Sequence, residues 1–424
     1  MSATDFRLTA VRTFGSPLYV YDIEAIRKRF DLLIDLLGGR FGISYAVKAN
    51  PNTGLLKAIR DKVVTFDASA LAEVERAMAT GIGAERITFS GPGKRRVEIE
   101  RAVELGIGEL VLESLADARI AAEAARRLGR VQHVLVRINP ASAPRAFGVN
   151  MSGKPSQFGV DEEDMEPVLK EIAAMPGLDL IGFHIYSGTN SLNPEAIADN
   201  FSIFAAIFRK AAGMVGRKPK KLIFGSGFGL PYLPEDAPLD IEEVARRVNP
   251  IVDDLRADPT FAGAELALEM GRWLVGPAGW LLSSVVAEKH SRGTDFRICD
   301  AGFNNQLAAC GMMGSVIRRN WRVSNISAPD APEATYTLTG PLCTTIDVIA
   351  TRITMPALAI DDVIAIENSG AYGLTASPSR FISHPEPREV IWTGNGFQDV
   401  TESLLNHWSI PAHGITQGLV QEEL

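Results

Sequence analysis

The chain has 424 residues, 46% of them hydrophobic and 22% charged, and a net charge of −8 from 43 basic and 51 acidic side chains. The length predicts more than one domain unless a barrel runs long as a single unit, and the acidic balance argues against a nucleic-acid binder, which carries a basic excess or stripe. Three scattered cysteines (Cys299, Cys310 and Cys343) exclude a disulfide framework and suggest no zinc site, no apolar stretch suits a signal peptide or a membrane span, and the expected setting is a reducing cytoplasm.

"SPLYVYD" (16–22) reads as a strand outside the repeating pattern of the next 250 residues. From residue 42 a short apolar run that ends in small or polar residues recurs, with a helical stretch after it. The runs are "GISYAVKA" (42–49), "VVTFDAS" (63–69), "RITFSG" (86–91), "ELVLES" (109–114), "HVLVRINP" (133–140), "LIGFHIYSG" (180–188), "KLIFGSG" (221–227) and "ELALEMGR" (265–272). "ALAEVERAMATG" has Leu71, Val74 and Met78 at helical spacing before Gly81, and "SLADARIAAEAARRLG" runs from a Ser114 cap to Gly129. Near-continuous apolar strands alternating with helices imply a parallel sheet covered on both faces, and eight such units imply a (β/α)8 barrel over residues 36–285. A doubly wound open sheet is the competing layout. Beyond residue 285 "SVVAEKH", "FRICDAG", "YTLTGPLC", "DVIATRITMP", "DVIAIENSG" and "EVIWTG" are strands with little helix between them. They predict a β-rich domain over 286–424, which residues 1–35 would join through the first strand.

In a β/α barrel the chemistry gathers at the C-terminal strand ends. The first unit ends in "YAVKANPN", where Lys48 follows an apolar strand; burial should lower its pKa and make it a candidate for covalent catalysis, or it simply snorkels to the barrel mouth. His184, in "FHIYSGT", is either a satisfied core histidine or a flat ring that stacks on a planar cofactor. "GSGFG" (225–229) has three glycines whose backbone N–H groups can approach an anion. Glu269 and Arg272, in "LEMGR", are either a pair that stabilises the barrel mouth or partners for a ring nitrogen and an anion. A lysine, a glycine loop, a carboxylate and a flat ring together fit pyridoxal 5′-phosphate, which pairs a lysine with an acidic partner for its pyridinium.

With "YAVKAN", "HIYSGT", "GSGFG", "EMGR", "GPLC" and "ENSGAYG" in this order, the chain resembles the fold-type III pyridoxal-phosphate decarboxylases, the family of diaminopimelate and ornithine/arginine decarboxylases. The resemblance implies an alanine-racemase-like barrel with a C-terminal β-domain, and a head-to-tail homodimer with active sites at the interface. It implies that Lys48 holds the cofactor covalently with Asp67, in "FDAS", close by, and that His184 stacks on the ring. Ser187, the Gly225–Gly229 backbone with Gly227 central, and Tyr372 would hold the phosphate. Glu269 would meet the pyridine nitrogen. Beside it Gly271 would stand at the cofactor, and Arg272 would bind phosphate or a substrate carboxylate. Cys343 would enter from the partner subunit and protonate the substrate carbon once carbon dioxide has left; otherwise it is a buried core thiol.

In well-known relatives an acid follows that cysteine and reads the far end of the substrate. Here Thr344 takes its place, and the next acid is Asp347. Both are expected to face the substrate, together with Tyr372. The change points away from free diaminopimelate, ornithine or lysine. The segments 148–164 and 302–320 resemble natural-product and siderophore-pathway decarboxylases of conjugated or carrier-bound amino acids. Lys154, Arg318 and Arg319 are candidates for an acidic distal group or a carrier's phosphate, or else solvated surface charge. A racemase or epimerase of the same fold and a non-catalytic cofactor-binding regulator are the alternatives.

Overall fold

In a computed structural model the residues described are 5–402, apart from 143, 145, 146, 148, 151 and 312–318. Eight strands form at the eight apolar runs: Gly42–Ala46, Thr65–Ala68, Ile87–Phe89, Glu109–Leu112, Gln132–Asn139, Leu178–Ile185, Lys221–Gly225 and Glu265–Met270. Each pairs in parallel with the next, and the last pairs with the first, so the sheet closes into a barrel. Closure rules out the open doubly wound layout. Helices cover the outside. Leu115–Arg127 starts where the Ser114 hydroxyl accepts the Asp117 amide, and Leu71–Ala79 ends just before Gly81.

Alternation along the strands sorts the side chains. Val111, Leu135, Ile181, Ile223 and Ala267 pack into one cluster from five strands. Two residues further along stand Arg137 and Glu269 on their strands and Glu113 just past the end of its own, with Arg137 3.2 Å from Glu113. The sixth strand reaches His184 through a register shift opposite Val134 and Leu135, after which His184 lies beside Arg137 and Ile223. Gly182 is needed at this point, because a Cβ there would lie 1.7 Å from the Lys221 carbonyl oxygen.

A second sheet is built on Leu18–Asp22, which pairs antiparallel with Gly279–Ser291 and parallel with Arg388–Trp392. Strands form at all six of the short runs seen in the C-terminal part, and Val323–Asn325 and Phe397–Asp399 are added to them. Gly279–Ser291 crosses the boundary expected at residue 285 and belongs to this second sheet over its length. Two early helices, Phe6–Phe14 and Ile23–Leu36, flank the first strand. Among the described residues no helix is long and apolar enough to cross a membrane.

One buried acid ties the second sheet to the loop behind the first barrel strand. Glu389, 6% exposed, accepts from the Tyr21 hydroxyl at 2.7 Å and the Asn52 amide at 3.1 Å. Burial pushes its carboxyl up to about 7, against the pull of those two hydrogen bonds. The folded protein therefore holds this proton more tightly than the unfolded chain, and stability falls as pH rises from the ordinary glutamate range through 7. Relative to Glu389→Gln, which is neutral at every pH, the wild type should lose up to about 3 kcal/mol across that window. Thermal midpoints of both proteins at pH 4.5 and 7.5 check this; a constant difference between them would refute it.

Candidate active site

The first barrel strand stops at Ala46, and Lys48 stands on the single 3-10 turn Val47–Ala49 rather than on the strand. Its Nζ lies 3.4 Å from Glu269 Oε1 and 3.9 Å from Asp67 Oδ2. The side chain keeps 41% of its surface, which opens into a cavity of about 370 Å³. The expected fall in the Lys48 pKa does not occur. Burial does pull it down, but the two carboxylates outweigh burial and raise it above the ordinary lysine value. The expectation took burial alone and had no distances to the acids.

Those acids are not equivalent. Burial opposes charge on Glu269, yet the Lys48 ammonium and the hydrogen bond with His184 hold its carboxyl well below the usual range. Asp67 is pushed up by burial and by Glu269, against Lys48 and a hydrogen bond with Ser90. The two carboxyls beside one amine are thus shifted in opposite directions, an arrangement that separates acid from base roles. His184 Nε2 is 2.7 Å from Glu269 Oε2. Burial lowers the imidazole pKa, so the ring is neutral, and a carboxylate only accepts; the proton therefore sits on Nε2. His184 Nδ1, Asp67 Oδ2 and Arg272 Nε are buried without a hydrogen-bond partner.

Arg272 opens the short helix that follows the eighth strand. Gly271 caps it, and a Cβ there would lie 2.5 Å from the Ala49 side chain, so glycine lets this turn close on the Lys48 turn. Tyr372 arrives from the loop after Val363–Ile366, its amide bonded to the Ala49 carbonyl at 2.8 Å and its ring 4.5 Å from the Arg272 guanidinium. Gly227 adopts φ +68, and a Cβ would fall 2.5 Å from the Phe147 ring. Ser187 donates to Asn200 Oδ1 at 2.5 Å, while Asn200 Nδ2 has no partner. Turning that amide over would let Nδ2 donate to Ser187 and release the hydroxyl proton toward an anion.

Cys343 is exposed and, among the described residues, is not part of the cavity wall. Its loop is held by Asp347, 2% exposed, which accepts the amides of Phe303 and Leu342 at 2.8 Å each. Asp347 does not face a substrate as expected. It is folded into its own loop, and Cβ atoms at Gly302 and Gly340 would both lie 2.3 Å from its oxygens. Two backbone donors on a buried carboxylate explain the inward turn. Thr344 is half-buried beside Cys343. Lys154 is exposed, Arg319 pairs with Glu235 at 3.4 Å on the surface, and Arg318 lies outside the described residues.

Arg137 and Tyr186 are among the cavity-wall residues that the set expected from sequence does not contain. Arg137 pairs with Glu113 at 3.2 Å and lies 4.5 Å from the Phe158 ring. A lone arginine inside the apolar run "HVLVRIN" was its signal. Tyr186 lies near Lys48, its ring 5.8 Å from Nζ, and burial lifts its phenol to about 12.

An amine, an ionised acid, a neutral flat imidazole and an arginine line one cavity, and two of their buried atoms, His184 Nδ1 and Arg272 Nε, are unpartnered. That donor set fits a planar phosphorylated heterocycle. Comparison with known proteins agrees. Residues 23–276 match the family described as pyridoxal-dependent decarboxylase, pyridoxal binding domain. The chain is 31% identical over 403 residues to the L-glutamyl-[BtrI acyl-carrier protein] decarboxylase of Niallia circulans, covering 94% of each. It is 31% identical over 391 residues to the diaminopimelate decarboxylase of Zymomonas mobilis, covering 90% of this chain and 89% of that protein. The crystal structure of Helicobacter pylori diaminopimelate decarboxylase complexed with L-lysine superposes with a TM-score of 0.83 at 26% identity, covering 93% of this chain and 96% of that one. The chain belongs to the pyridoxal-dependent amino-acid decarboxylases, with pyridoxal 5′-phosphate as its cofactor.

Proposed function

We propose that this enzyme decarboxylates an amino acid whose far end is masked by conjugation or by attachment to a carrier. The observation that carries this reading is the state of the Cys343 loop. Thr344 follows the cysteine, and the one nearby acid, Asp347, spends both oxygens on backbone amides. The loop therefore offers no free carboxylate to a distal ammonium. The similarity to a decarboxylase named for a carrier-bound glutamyl group supports the reading, while the equal similarity to a diaminopimelate decarboxylase leaves the loop to decide.

The bound cofactor supplies an electron sink for the pair left behind when carbon dioxide departs. Lys48 would hold it covalently. Glu269, held ionised, would keep a proton on its ring nitrogen, and His184, tethered to Glu269 at 2.7 Å, would offer its neutral ring as a stacking face. Arg272, Tyr372, Ser187 and the Gly227 turn hold anionic groups, and Asp67 keeps the Lys48 amine in place. The partner subunit's Cys343 delivers the final proton in a homodimer with shared sites, located in the cytoplasm.

Cys343→Ala should retain cofactor while turnover drops on the order of 10²-fold or more. Mixed dimers of the Lys48→Ala and Cys343→Ala chains should recover about a quarter of wild-type activity, because half of the dimers carry one intact site of two. No recovery in proven mixed dimers would place the thiol elsewhere. For the substrate, carbon dioxide release is measured for free diaminopimelate, ornithine and glutamate against derivatives acylated or thioesterified at the far end. Efficient turnover of the free amino acids with neglect of the derivatives would sink the proposal.

A further inference from the structure

Arg272 is held in a way that the family assignment does not explain. Its Nη1 donates to the Tyr232 hydroxyl at 2.7 Å. The opposite edge of the guanidinium, Nε with Nη2, meets no protein acceptor among the described residues, and Nε is buried. Arg272 lines the cavity; Tyr232 does not.

Tyr232 is itself fixed from behind by the second sheet. The Trp321 ring stacks on it at 4.3 Å with 25° between the planes. The Arg322 amide donates to the Tyr232 carbonyl at 3.1 Å. The Arg322 side chain donates to the carbonyls of Leu233, Pro234 and Asp236 at 3.2, 3.2 and 3.0 Å. Asn368 adds a bond to the Pro231 carbonyl at 3.1 Å. A loop clasped this closely to donate no group to the cavity is built to hold something that does. Burial raises the Tyr232 phenol, against the pull of Arg272, so the hydroxyl remains neutral and accepts the guanidinium proton.

A guanidinium reads a planar or tetrahedral oxyanion best along one edge with two parallel hydrogen bonds. We infer that Tyr232 is the positioning residue for Arg272: it occupies Nη1 and aims the Nε–Nη2 edge at an oxyanion in the cavity. The oxyanion is a phosphate or a carboxylate, which share this chemistry. The inference rests on the reading that Arg272 binds an anion.

The test uses Tyr232→Phe, Arg272→Lys and the double variant of the full chain. Tyr232→Phe keeps the ring and its stack on Trp321, and its thermal midpoint should match the wild type. Apoenzyme is titrated with pyridoxal 5′-phosphate and with pyridoxal, and KM and kcat of the saturated holoenzyme are measured with the best substrate of the panel above. Tyr232→Phe should weaken one constant about tenfold, the loss of one charge-assisted hydrogen bond, with kcat changed less. A weakened affinity for pyridoxal 5′-phosphate with pyridoxal unaffected assigns the edge to the phosphate; a raised KM with cofactor affinity intact assigns it to the substrate carboxylate. In the Arg272→Lys background Tyr232→Phe should add little, because lysine cannot present that edge. If Tyr232→Phe moves neither constant, or adds its full penalty to Arg272→Lys, the positioning role is refuted. If Arg272→Lys moves neither constant, the anion reading of Arg272 is what fails, and the inference goes with it.

Discussion

Replacing Lys48 with alanine should abolish covalent cofactor capture and lower turnover by on the order of 10³-fold or more. The amine lies within reach of both Glu269 and Asp67, at 3.4 and 3.9 Å. Its loss also removes the cation that keeps those two acids from facing each other alone. Asp67, already pushed up by burial and by Glu269, should then hold its proton more tightly still. Visible absorbance of the bound cofactor after gel filtration separates the effects. Lys48→Ala and Lys48→Arg should both lose the covalent signal, because a guanidinium does not attack a carbonyl. Lys48→Arg should retain more thermal stability, because it still offsets the carboxylates. Turnover of Lys48→Ala within tenfold of the wild type would remove the lysine from the chemistry.

Glu269→Gln should lower kcat by about 10²- to 10³-fold, the usual cost of deleting one preorganised electrostatic group, while the cofactor stays bound. Glutamine fills the same space and still accepts from His184, so packing changes little. What disappears is a full negative charge beside the position assigned to the ring nitrogen. Because Lys48 and His184 hold the Glu269 carboxyl well below the usual range, this residue should not titrate between pH 5 and 9. Any acid limb of the wild-type profile must come from another group, and Asp67, whose carboxyl is raised, is the candidate. Steady-state kinetics over pH check both points. A kcat for Glu269→Gln equal to the wild type would mean that the ring nitrogen has another partner.

The barrel could be read from the chain because its strands are buried on both faces and end in small or polar residues, so eight apolar runs with helical stretches between them stand out. The rule that chemistry gathers at C-terminal strand ends brought Lys48, His184 and Glu269 together before any distance was known, and the family resemblance added Asp67. Directions were harder. Nothing in "GPLCTTID" says that Asp347 turns inward, since that depends on the amide of Phe303, which is 44 positions away in sequence. The Lys48 pKa escapes a sequence reading for the same reason: its sign depends on two carboxylates brought close only by barrel closure. The partners of Tyr232 and Arg137 come from neighbouring strands and loops, so even where a lone arginine in an apolar run draws notice, its contacts are not revealed by one strand. The Phe6–Phe14 helix is absent from the sequence expectation, although Asp5 caps it and Phe6, Ala10 and Phe14 stand at i, i+4 spacing. Its signal is short and sits beside the stronger apolar run of the first strand.

The cavity around Lys48 should remove carbon dioxide and return one proton to one face of the same carbon. Turnover in heavy water tests it directly, with carbon dioxide and product counted together. One carbon dioxide per product and a single deuteron at one prochiral position are expected, with that selectivity lost or weakened in Cys343→Ala. Deuterium appearing in recovered amino acid of inverted configuration, with no carbon dioxide released, would contradict it and favour a racemase built on the same barrel.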